Sequence, residues 1–413
     1  RGIESFGMIC SEQELNISEE HDGIMVLPDH LELGTSFISS YGYRFFSLKL
    51  DITPNRPDAF SHIGVARDIA SKTDRELKNI PTENILAKGT VNLDISVENI
   101  TDCPRYIGCV LKNVAVGPSP EWLVEKLKSV GHRSINNIVD ISNYVLIEMG
   151  HPTHIFDYDK LTNKSIYVRR SLKKEQLKTL DGQIHKLDET HLLITDGKNP
   201  IALAGVMGGD DSSVSEKTNT IIVESAYFNP ITIRKSSKSL SLSTDASKIY
   251  ERGADPNGCK SAFLRVVNLI QELTAGKISS EIVDVYPEPI DSEIITVRRS
   301  ELEILSGIKI DDKRIEKVLI SLEIKIKKID NGWECSIPTF RPDITREVDI
   351  IEEILRIYGY ENIPSDEKLY GSFVHKNPDP EKHLESIRNT LSGFGFHQIY
   401  ANSLQNEEEA NLV

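Results

Sequence analysis

The most regular apolar pattern in the chain lies between residues 133 and 157. Apolar residues recur there every three or four positions, at Ile138, Ile141, Val145 and Met149. This period is that of a helix with one face against a core. The polar segment 134–137 predicts where the helix starts, and Gly150 with Pro152 predicts where it ends. We therefore predict one amphipathic helix followed by a loop.

Polar side chains surround the end of this predicted helix. Ser142 and Asn143 lie on its other face, and His154 and Asp157 follow in the predicted loop. A hydroxyl, an amide, an imidazole and a carboxylate could together orient a polar ligand and a water molecule. On residue chemistry alone we favour a second interpretation, in which these groups cap the helix and satisfy backbone groups.

The surrounding region alternates between the strand period and the helix period. The predicted strands are 93–97, 106–111, 166–168, 191–195, 201–204 and 221–224. Besides the helix that starts within 134–137 and ends at Gly150, the predicted helices are 120–130 with Ser119 as its cap, a short helix that starts at Asn229 or Thr232, 245–252 and 262–275. Strands interleaved with helices predict an α+β domain over residues 93–285, in a chain with several domains.

Shorter patterns flank this central region. Before it we predict a strand at 43–52, a break at 54–58, a helix at 61–72 and a linker at 82–89. After it we predict a small domain with a strand at 294–297, helices at 299–306 and 312–322, strands at 324–329 and 333–337, and a helix at 348–358. Helices followed by a two-stranded wing resemble a winged-helix module. The last predicted helix is 381–394, and the four predicted parts are 1–92, 93–285, 291–366 and 367–413.

Composition limits the class of protein. The chain has 413 residues, of which 39% are hydrophobic and 27% charged, as in a soluble globular protein. No apolar run reaches transmembrane length, no signal peptide opens the chain, and the five cysteines form no CxxC pair. We therefore expect a cytoplasmic protein without a membrane partner.

The net charge of −15 argues against a surface coated with phosphate-binding side chains. Contact with nucleic acid would then need a local basic patch. The two candidate patches are Arg234, Lys235, Lys238, Lys248 and Arg252, and Arg169, Arg170, Lys173 and Lys174. For the second patch we favour an ordinary solvated surface. Arg56 and Arg67 could also contact nucleic acid, but we favour structural pairs with Asp58 and Asp68.

Two features next to the predicted strands carry possible chemistry. Gly205, Gly208 and Gly209 follow strand 201–204, where glycines would let a backbone approach a ligand closely, although a simple turn explains them equally well. Glu224 ends an apolar run, and a carboxylate at the end of a buried strand needs a partner. That partner could be a lysine, an arginine or the hydroxyl of a ligand.

Carboxylates cluster at the last helix of the small domain, at Asp343, Asp349, Glu352 and Glu353. Positions 349, 352 and 353 share one helical face, and oxygen ligands suit a hard ion such as Mg²⁺. Arg346 and Arg356 offer the other interpretation, ion pairs within the helix, which the spacing alone favours.

Several motifs appear in a fixed order along the chain. They are 52–58 (ITPNRPD), 133–157, 204–209 (AGVMGG), 244–247 (TDAS), 251–256 (ERGADP), and 341–343 (RPD) through 358–360 (YGY). Together they resemble the beta subunit of bacterial phenylalanyl-tRNA synthetases, and this ordered set is far more specific than one short motif. Ser142 stands where threonine is common in that family, and His151 where glutamine is frequent.

The resemblance implies an editing site that hydrolyses tyrosine wrongly attached to tRNA(Phe). Glu224 would accept the tyrosine hydroxyl, His154 would position water or the tRNA terminus, and Ser142 with Asn143 would bind the terminal adenosine or the substrate ammonium. Gly205, Gly208, Thr244 and Ala246 would line the pocket. We expect water to attack the ester directly rather than through an acyl-enzyme. The alternatives are a non-catalytic tRNA-binding or scaffolding fragment with a decayed pocket, and a freestanding deacylase.

The resemblance also implies partners and cofactors. The beta subunit would pair with an alpha subunit, two of each, with the ATP-using aminoacylation site on alpha. It also raises the metal interpretation, with Asp343, Asp349, Glu352 and Glu353 as magnesium ligands in the complete enzyme. By this resemblance, 1–92 holds the tail of an oligonucleotide-binding fold and an α+β domain, and 367–413 opens a catalytic-like domain. We expect a fragment of a longer subunit.

Overall fold

A computed structural model describes residues 7–15, 17, 21–27, 29, 31–40, 47–83, 85, 89–365, 371, 379–400, 404, 406 and 411. The chain divides into two compact units, residues 1–362 and residues 363–413. Among the described residues of the second unit there is one helix, and its apolar residues Leu384, Ile387 and Leu391 are exposed. None of the helices in the described part of the chain is long and apolar enough to cross a membrane.

Helices and strands alternate through the first unit. The helices are α1 Phe37–Ser40, α2 His62–Lys72, α3 Glu121–Ser129, α4 Asn137–Met149, α5 Pro230–Ser239, α6 Asp245–Tyr250, α7 Gly258–Leu273, α8 Arg299–Ser306, α9 Asp312–Ser321, α10 Glu347–Tyr358 and, in the second unit, α11 Pro380–Gly393. The strands are β1 Asp94–Val97, β2 Arg105–Lys112, β3 Thr153–Asp157, β4 Ser165–Arg170, β5 Gln176–Lys178, β6 Ile184–Lys186, β7 Leu192–Thr195, β8 Pro200–Leu203, β9 Met207–Gly208, β10 Ile221–Tyr227, β11 Lys277–Ile278, β12 Val283–Val285, β13 Ile294–Arg298, β14 Lys325–Ile329 and β15 Gly332–Ser336. The predicted α+β class is confirmed.

The central region is built mainly from two five-stranded sheets and a layer of helices, and it also contains the two-stranded sheet β5-β6. One sheet has the order β11-β2-β10-β3, with β12 also paired to β2, and the other has the order β1-β4-β7-β8-β9. Strand β10 shows how the layers form, because its side chains alternate between two cores. Ile221 and Val223 face α4 and α7, whereas Ile222 and Ala226 face the second sheet. Each face of the β10 sheet is therefore covered.

Helix α4 begins and ends as its sequence predicts. The Asn136 side chain accepts hydrogen bonds from the backbone N–H groups of Ile138 and Val139, and Gly150 ends the helix with a φ of 70°. Buried Asp140 accepts hydrogen bonds from the Ser119 and Ser134 hydroxyls. These bonds fix the start of α4 against the preceding loop.

Two Arg-Pro-Asp segments, at 56–58 and 341–343, lead into α2 and α10. In both, the arginine Nε and one Nη donate to the aspartate two residues later. The distances are 2.9 and 2.9 Å from Arg56 to Asp58, and 2.9 and 2.8 Å from Arg341 to Asp343. Such two-point pairs hold both side chains in one geometry. The same local arrangement thus occurs twice in the unit.

The second partner of each arginine lies twelve residues further along. Arg56 donates to Asp68 at 3.3 Å, and Arg341 donates to Glu353 at 2.9 Å. Arg356 joins the two segments, because it donates to Asp68 at 3.0 Å and to Glu353 at 2.7 Å. This arginine–carboxylate network fastens the segment before β1 to the small domain.

Several predictions about local structure are wrong. His154 and Asp157 lie in strand β3 rather than in a loop, because Thr153–Ser225 through Asp157–Ile221 form an antiparallel ladder with β10. Helix α7 begins at Gly258, four residues before the predicted start. Residues 47–52 form no strand, and 43–46 lie outside the described residues.

Two side chains have partners other than those expected. Pro120, not Ser119, stands before α3, because the Ser119 hydroxyl bonds to Asp140. Arg67 was expected to pair with a neighbouring aspartate, but it donates to Glu323 of the small domain at 2.8 Å and lies over the Phe340 ring. The expected pairing of Arg56 with Asp58 and Asp68 is confirmed.

Candidate functional site

A cavity of about 580 Å³ lies among α4, β3, β10, the β8–β9 turn and the start of α6. The eight residues that the sequence proposes for a pocket all line it: Ser142, Asn143, His154, Gly205, Gly208, Glu224, Thr244 and Ala246. Apolar side chains such as Leu146, Ile194, Val206 and Phe228 form much of the remaining wall. A largely apolar cavity with a few polar groups is the usual form of a small-ligand site.

Glu224 and His154 are direct neighbours across two strands. They are register partners in the antiparallel pair β10–β3, and both line the cavity. Directly opposite residues in such a pair have Cβ atoms about 4.5–5.5 Å apart. On the other side of Glu224, its register partner in β2 is Gly108, which has no side chain. A carboxyl and an imidazole can therefore contact the same small ligand.

Glu224 is a buried acid without a cation. Its side chain is 4% exposed, and Tyr106 donates a hydrogen bond to its Oε2 atom at 2.8 Å. Burial raises the pKa of Glu224 from its ordinary value to about 7, against a smaller lowering by the Tyr106 hydrogen bond. In the described part of the chain Glu224 makes no ion pair, so the lysine or arginine partner considered from the sequence is not found.

His154 is a neutral imidazole at the cavity wall. Burial lowers its pKa to about 4, and its ring packs edge-on against Phe156 with the ring centres 4.6 Å apart. Gly208 makes room for the ring, because a Cβ at that position would lie 2.5 Å from the Cε1 atom of His154. Gly208, the second glycine of the AGVMGG motif, therefore leaves the space that the imidazole occupies.

Two of the predicted ligand-binding hydroxyls are engaged in structural bonds. The Ser142 hydroxyl lies 2.8 Å from the backbone oxygen of Thr153 and 2.9 Å from its hydroxyl, so it ties α4 to the start of β3. The Thr244 hydroxyl donates to the backbone oxygen of Val206 at 2.7 Å and caps α6. The Ser142 bonds agree with the second interpretation of its hydroxyl as a structural group. The Thr244 hydroxyl is likewise engaged within the fold, so the effect of either hydroxyl on a ligand would be indirect.

Gly205 and Ala246 shape the wall. Gly205 has a φ of +65°, and a Cβ there would lie 2.9–3.1 Å from the side chains of Ile233, Phe228 and Tyr250. No larger residue fits this position without strain. Ala246 presents a methyl group from α6, and Asn143 presents an amide from α4.

Asp157 does not belong to the cluster that its sequence position suggested. It is buried, accepts a hydrogen bond from the Thr218 hydroxyl at 2.6 Å, and is not among the described residues that line the cavity. The cause is the strand period, which places Asp157 on the opposite face of β3 from His154. Sequence interpretation also missed Tyr106, which reads as one more apolar residue of β2 and gains its partner only when β2 pairs with β10.

The four carboxylates proposed for magnesium do not fit a metal site in this structure. Both oxygens of Asp343 accept from Arg341, and Glu353 accepts from Arg341 and Arg356. Asp349 accepts from Arg346, and Glu352 is exposed. No group of three or more histidine, cysteine, aspartate or glutamate residues within the described ranges could hold a metal ion. The alternative of arginine pairs accounts for Asp349 and Glu353.

The basic segments differ in how far they are neutralised. Arg169 pairs with Glu175 and Arg170 pairs with Asp102, both at 2.7 Å, as the ordinary-surface interpretation of that segment requires. Arg234, Lys235 and Lys238 are exposed on α5. Lys248 pairs with Asp245 at 3.0 Å beside the cavity.

Two regions of the chain match known domain families. Residues 102–275, which carry the cavity, match the B3/4 domain, and residues 295–360, the small domain, match the tRNA synthetase B5 domain. Together these domains mark a chain of the aminoacyl-tRNA synthetase class.

Relatives that match nearly the whole chain narrow this class to one family. Phenylalanine–tRNA ligase beta subunits are 38% identical in Syntrophotalea carbinolica, 39% in Thermotoga maritima and 41% in Protochlamydia amoebophila, over 96%, 97% and 100% of this chain and 50%, 50% and 52% of theirs. The chain belongs to the phenylalanine–tRNA ligase beta-subunit family, and it spans about half the length of the curated relatives it matches. A crystal structure of an N-terminal fragment of the phenylalanyl-tRNA synthetase beta subunit from Pyrococcus horikoshii covers 74% of this chain and 85% of its own at 18% identity, with a TM-score of 0.39.

Proposed function

We propose that this chain edits mischarged tRNA, hydrolysing the ester between tyrosine and tRNA(Phe) in the cavity beside Glu224 and His154. The observation that carries the proposal is the buried Glu224 carboxyl, which lines the cavity next to His154 and has no cation partner among the residues that the structure describes. A buried carboxyl that is not neutralised by a lysine or arginine can accept a hydrogen bond from a ligand hydroxyl.

The need for such a site follows from the two amino acids. Tyrosine and phenylalanine differ by one hydroxyl, and an apolar pocket rejects an isostere with an added hydroxyl only about a hundredfold. A second pocket that requires the hydroxyl corrects the errors, because phenylalanine would leave the carboxyl of Glu224 without its partner. The apolar wall of the cavity suits an aromatic ring, and the carboxyl suits the phenol group.

In the proposed hydrolysis a water molecule attacks the ester directly, and no acyl-enzyme forms. The water oxygen would bond to the ester carbon, the bond from that carbon to the ribose oxygen would break, and the ribose oxygen would take the proton. His154, neutral because of its lowered pKa, can accept a hydrogen bond from the water or donate one to the ester. The Ser142 hydroxyl is bound to Thr153, which favours water over an acyl-enzyme.

We further propose that the chain acts within a complete enzyme that attaches phenylalanine to tRNA(Phe). Its partners would be an alpha subunit, two of each chain in the assembly, and tRNA. ATP would be used at the alpha subunit, and magnesium in the complete enzyme. Family membership and the match to the B5 domain support this role.

The test is a deacylation assay on the complete enzyme with Tyr-tRNA(Phe) and Phe-tRNA(Phe). Glu224→Ala should reduce the preference for tyrosine roughly ten- to a hundredfold, because a hydrogen bond to a charged group contributes about 1.5–3 kcal/mol. His154→Ala should slow hydrolysis of both substrates and leave their ratio largely unchanged. An unchanged ratio in Glu224→Ala would mean that the hydroxyl is recognised elsewhere and would refute the proposal.

A further inference from the structure

Tyr106 contacts Glu224, the residue that we propose to bind the substrate hydroxyl. It is fully buried between the two central sheets, and its phenol donates to Oε2 of Glu224 at 2.8 Å. It is not among the described residues that line the cavity, so it acts on a ligand only through Glu224. Within the described ranges it is the one side chain bonded to this carboxyl.

We propose that Tyr106 is the positioning residue for tyrosine specificity, holding one oxygen of Glu224 so that the other is presented to the substrate hydroxyl. This inference rests on the proposed editing function. It assigns the specificity to a pair of residues, of which only Glu224 would touch the substrate.

The register of the strands explains why Tyr106 can do this. Gly108, directly opposite Glu224 in β2, has no side chain, and a Cβ there would lie 2.8 Å from the Cδ1 atom of Ile95. Tyr106 is two residues away on the same face of β2 and reaches Glu224 diagonally. Diagonal neighbours in a sheet are within reach of aromatic side chains.

Fixing one oxygen has two consequences for recognition. It restricts rotation of the carboxyl, so less conformational freedom is lost when a substrate hydroxyl binds. It also favours the ionised carboxylate, which offsets part of the effect of burial on the pKa of Glu224. Removal of the phenol oxygen should therefore loosen Glu224 and raise its pKa above about 7.

Tyr106→Phe removes this single bond and keeps the ring in the core. In the complete enzyme we expect the Tyr/Phe deacylation ratio at neutral pH to fall about five- to tenfold, as loss of one such bond predicts. We also expect the preference for Tyr-tRNA(Phe) to develop at a higher pH than in the parent enzyme. Hydrolysis of Phe-tRNA(Phe) should be unchanged, because the phenylalanine side chain has no hydroxyl for Glu224 to bind.

Tyr144→Phe is the matched control. Tyr144 donates to Glu148 at 2.8 Å, which is the same phenol–carboxylate bond, but neither residue is among the described residues that line the cavity. This variant should retain both the ratio and its pH dependence. Thermal unfolding of both variants measures the cost of losing a buried or half-buried phenol bond.

The outcomes separate this inference from the editing function on which it rests. If Glu224→Ala removes the preference while Tyr106→Phe retains both the ratio and its pH midpoint, Tyr106 has no positioning role and editing stands. If Tyr106→Phe slows both substrates equally, Tyr106 is merely structural and the inference is wrong. If Glu224→Ala also retains the ratio, the editing proposal itself fails.

Discussion

Two buried carboxylates of this chain, Glu224 and Glu353, have opposite surroundings. Glu224 lies at a cavity with one phenol as its partner, and burial raises its pKa to about 7. Glu353 lies in the arginine–carboxylate network, where the hydrogen bonds and charges of Arg356 and Arg341 outweigh burial and lower its pKa to about 2. Both side chains are about 5% exposed, so burial alone does not set the protonation state.

The partners of a buried carboxylate indicate its role. A carboxylate whose oxygens are occupied by arginines is neutralised and held, and it stabilises a contact between segments. A carboxyl that retains an oxygen facing a cavity can bind a ligand, and its burial is a cost to folding. On this basis Asp343 and Glu353 belong to the framework, whereas Glu224 has the surroundings that our proposed ligand site requires.

The largest effect should come from removing a cation of the network. Arg341→Met would leave the buried Glu353 and the half-buried Asp343 without their shared partner, and breaking a buried pair in this way costs about 3–5 kcal/mol. Urea unfolding should show this loss. Arg346→Met is the control, because Arg346 is 73% exposed in its pair with Asp349 and its loss should destabilise the fold far less. Equal losses in the two variants would contradict the distinction.

The second effect is an opposite pH dependence of stability in two isosteric variants. The folded pKa of Glu224 is raised, so its contribution is fully present below the unfolded value of about 4.5 and is lost as pH rises through about 7. Glu224→Gln should therefore gain stability relative to the parent chain over this window, by up to about 3 kcal/mol. The folded pKa of Glu353 is lowered, so Glu353→Gln should be destabilised above pH 4.5 and recover as pH falls towards about 2.

Unfolding free energies measured from acid to neutral pH would check both signs. Glu224→Gln keeps an oxygen that can accept the Tyr106 hydrogen bond, so a loss of packing would not mimic the effect. The same pH slope in both variants would show that the two carboxylates have similar environments after all.

A smaller effect should follow from filling the space beside His154. In Gly208→Ala the new methyl group would overlap the imidazole, and an added methylene in a packed region costs about 1–3 kcal/mol. Displacement of the ring should slow deacylation of Tyr-tRNA(Phe) and Phe-tRNA(Phe) alike. Gly117→Ala is a suitable control, because a Cβ at Gly117 meets no atom within 4 Å. Unchanged rates in Gly208→Ala would show that the position of His154 does not matter for hydrolysis.

Much of the architecture could be predicted from the sequence because the information is local. The apolar period and the Asn136 and Gly150 caps determine α4, and the β-branched run 221–223 predicts β10. The elements of the small domain lie within one or two residues of their predicted bounds. The ordered motifs indicated the residues of the cavity, although spacing alone would not have brought residues 142 and 246 together.

The tertiary structure decided the partners. Strand β3 forms because β10 lies beside it, and the strand period then turns His154 into the cavity and Asp157 away from it. Long-range pairing gives Glu224 the phenol of Tyr106 as a partner, whereas it gives Asp343 and Glu353 the guanidinium of Arg341. This difference separates the acid that we propose for a ligand site from the acids of the framework. The physical reason is that the pKa of a carboxyl depends on burial and on the few atoms within hydrogen-bonding distance, and long-range pairing sets both.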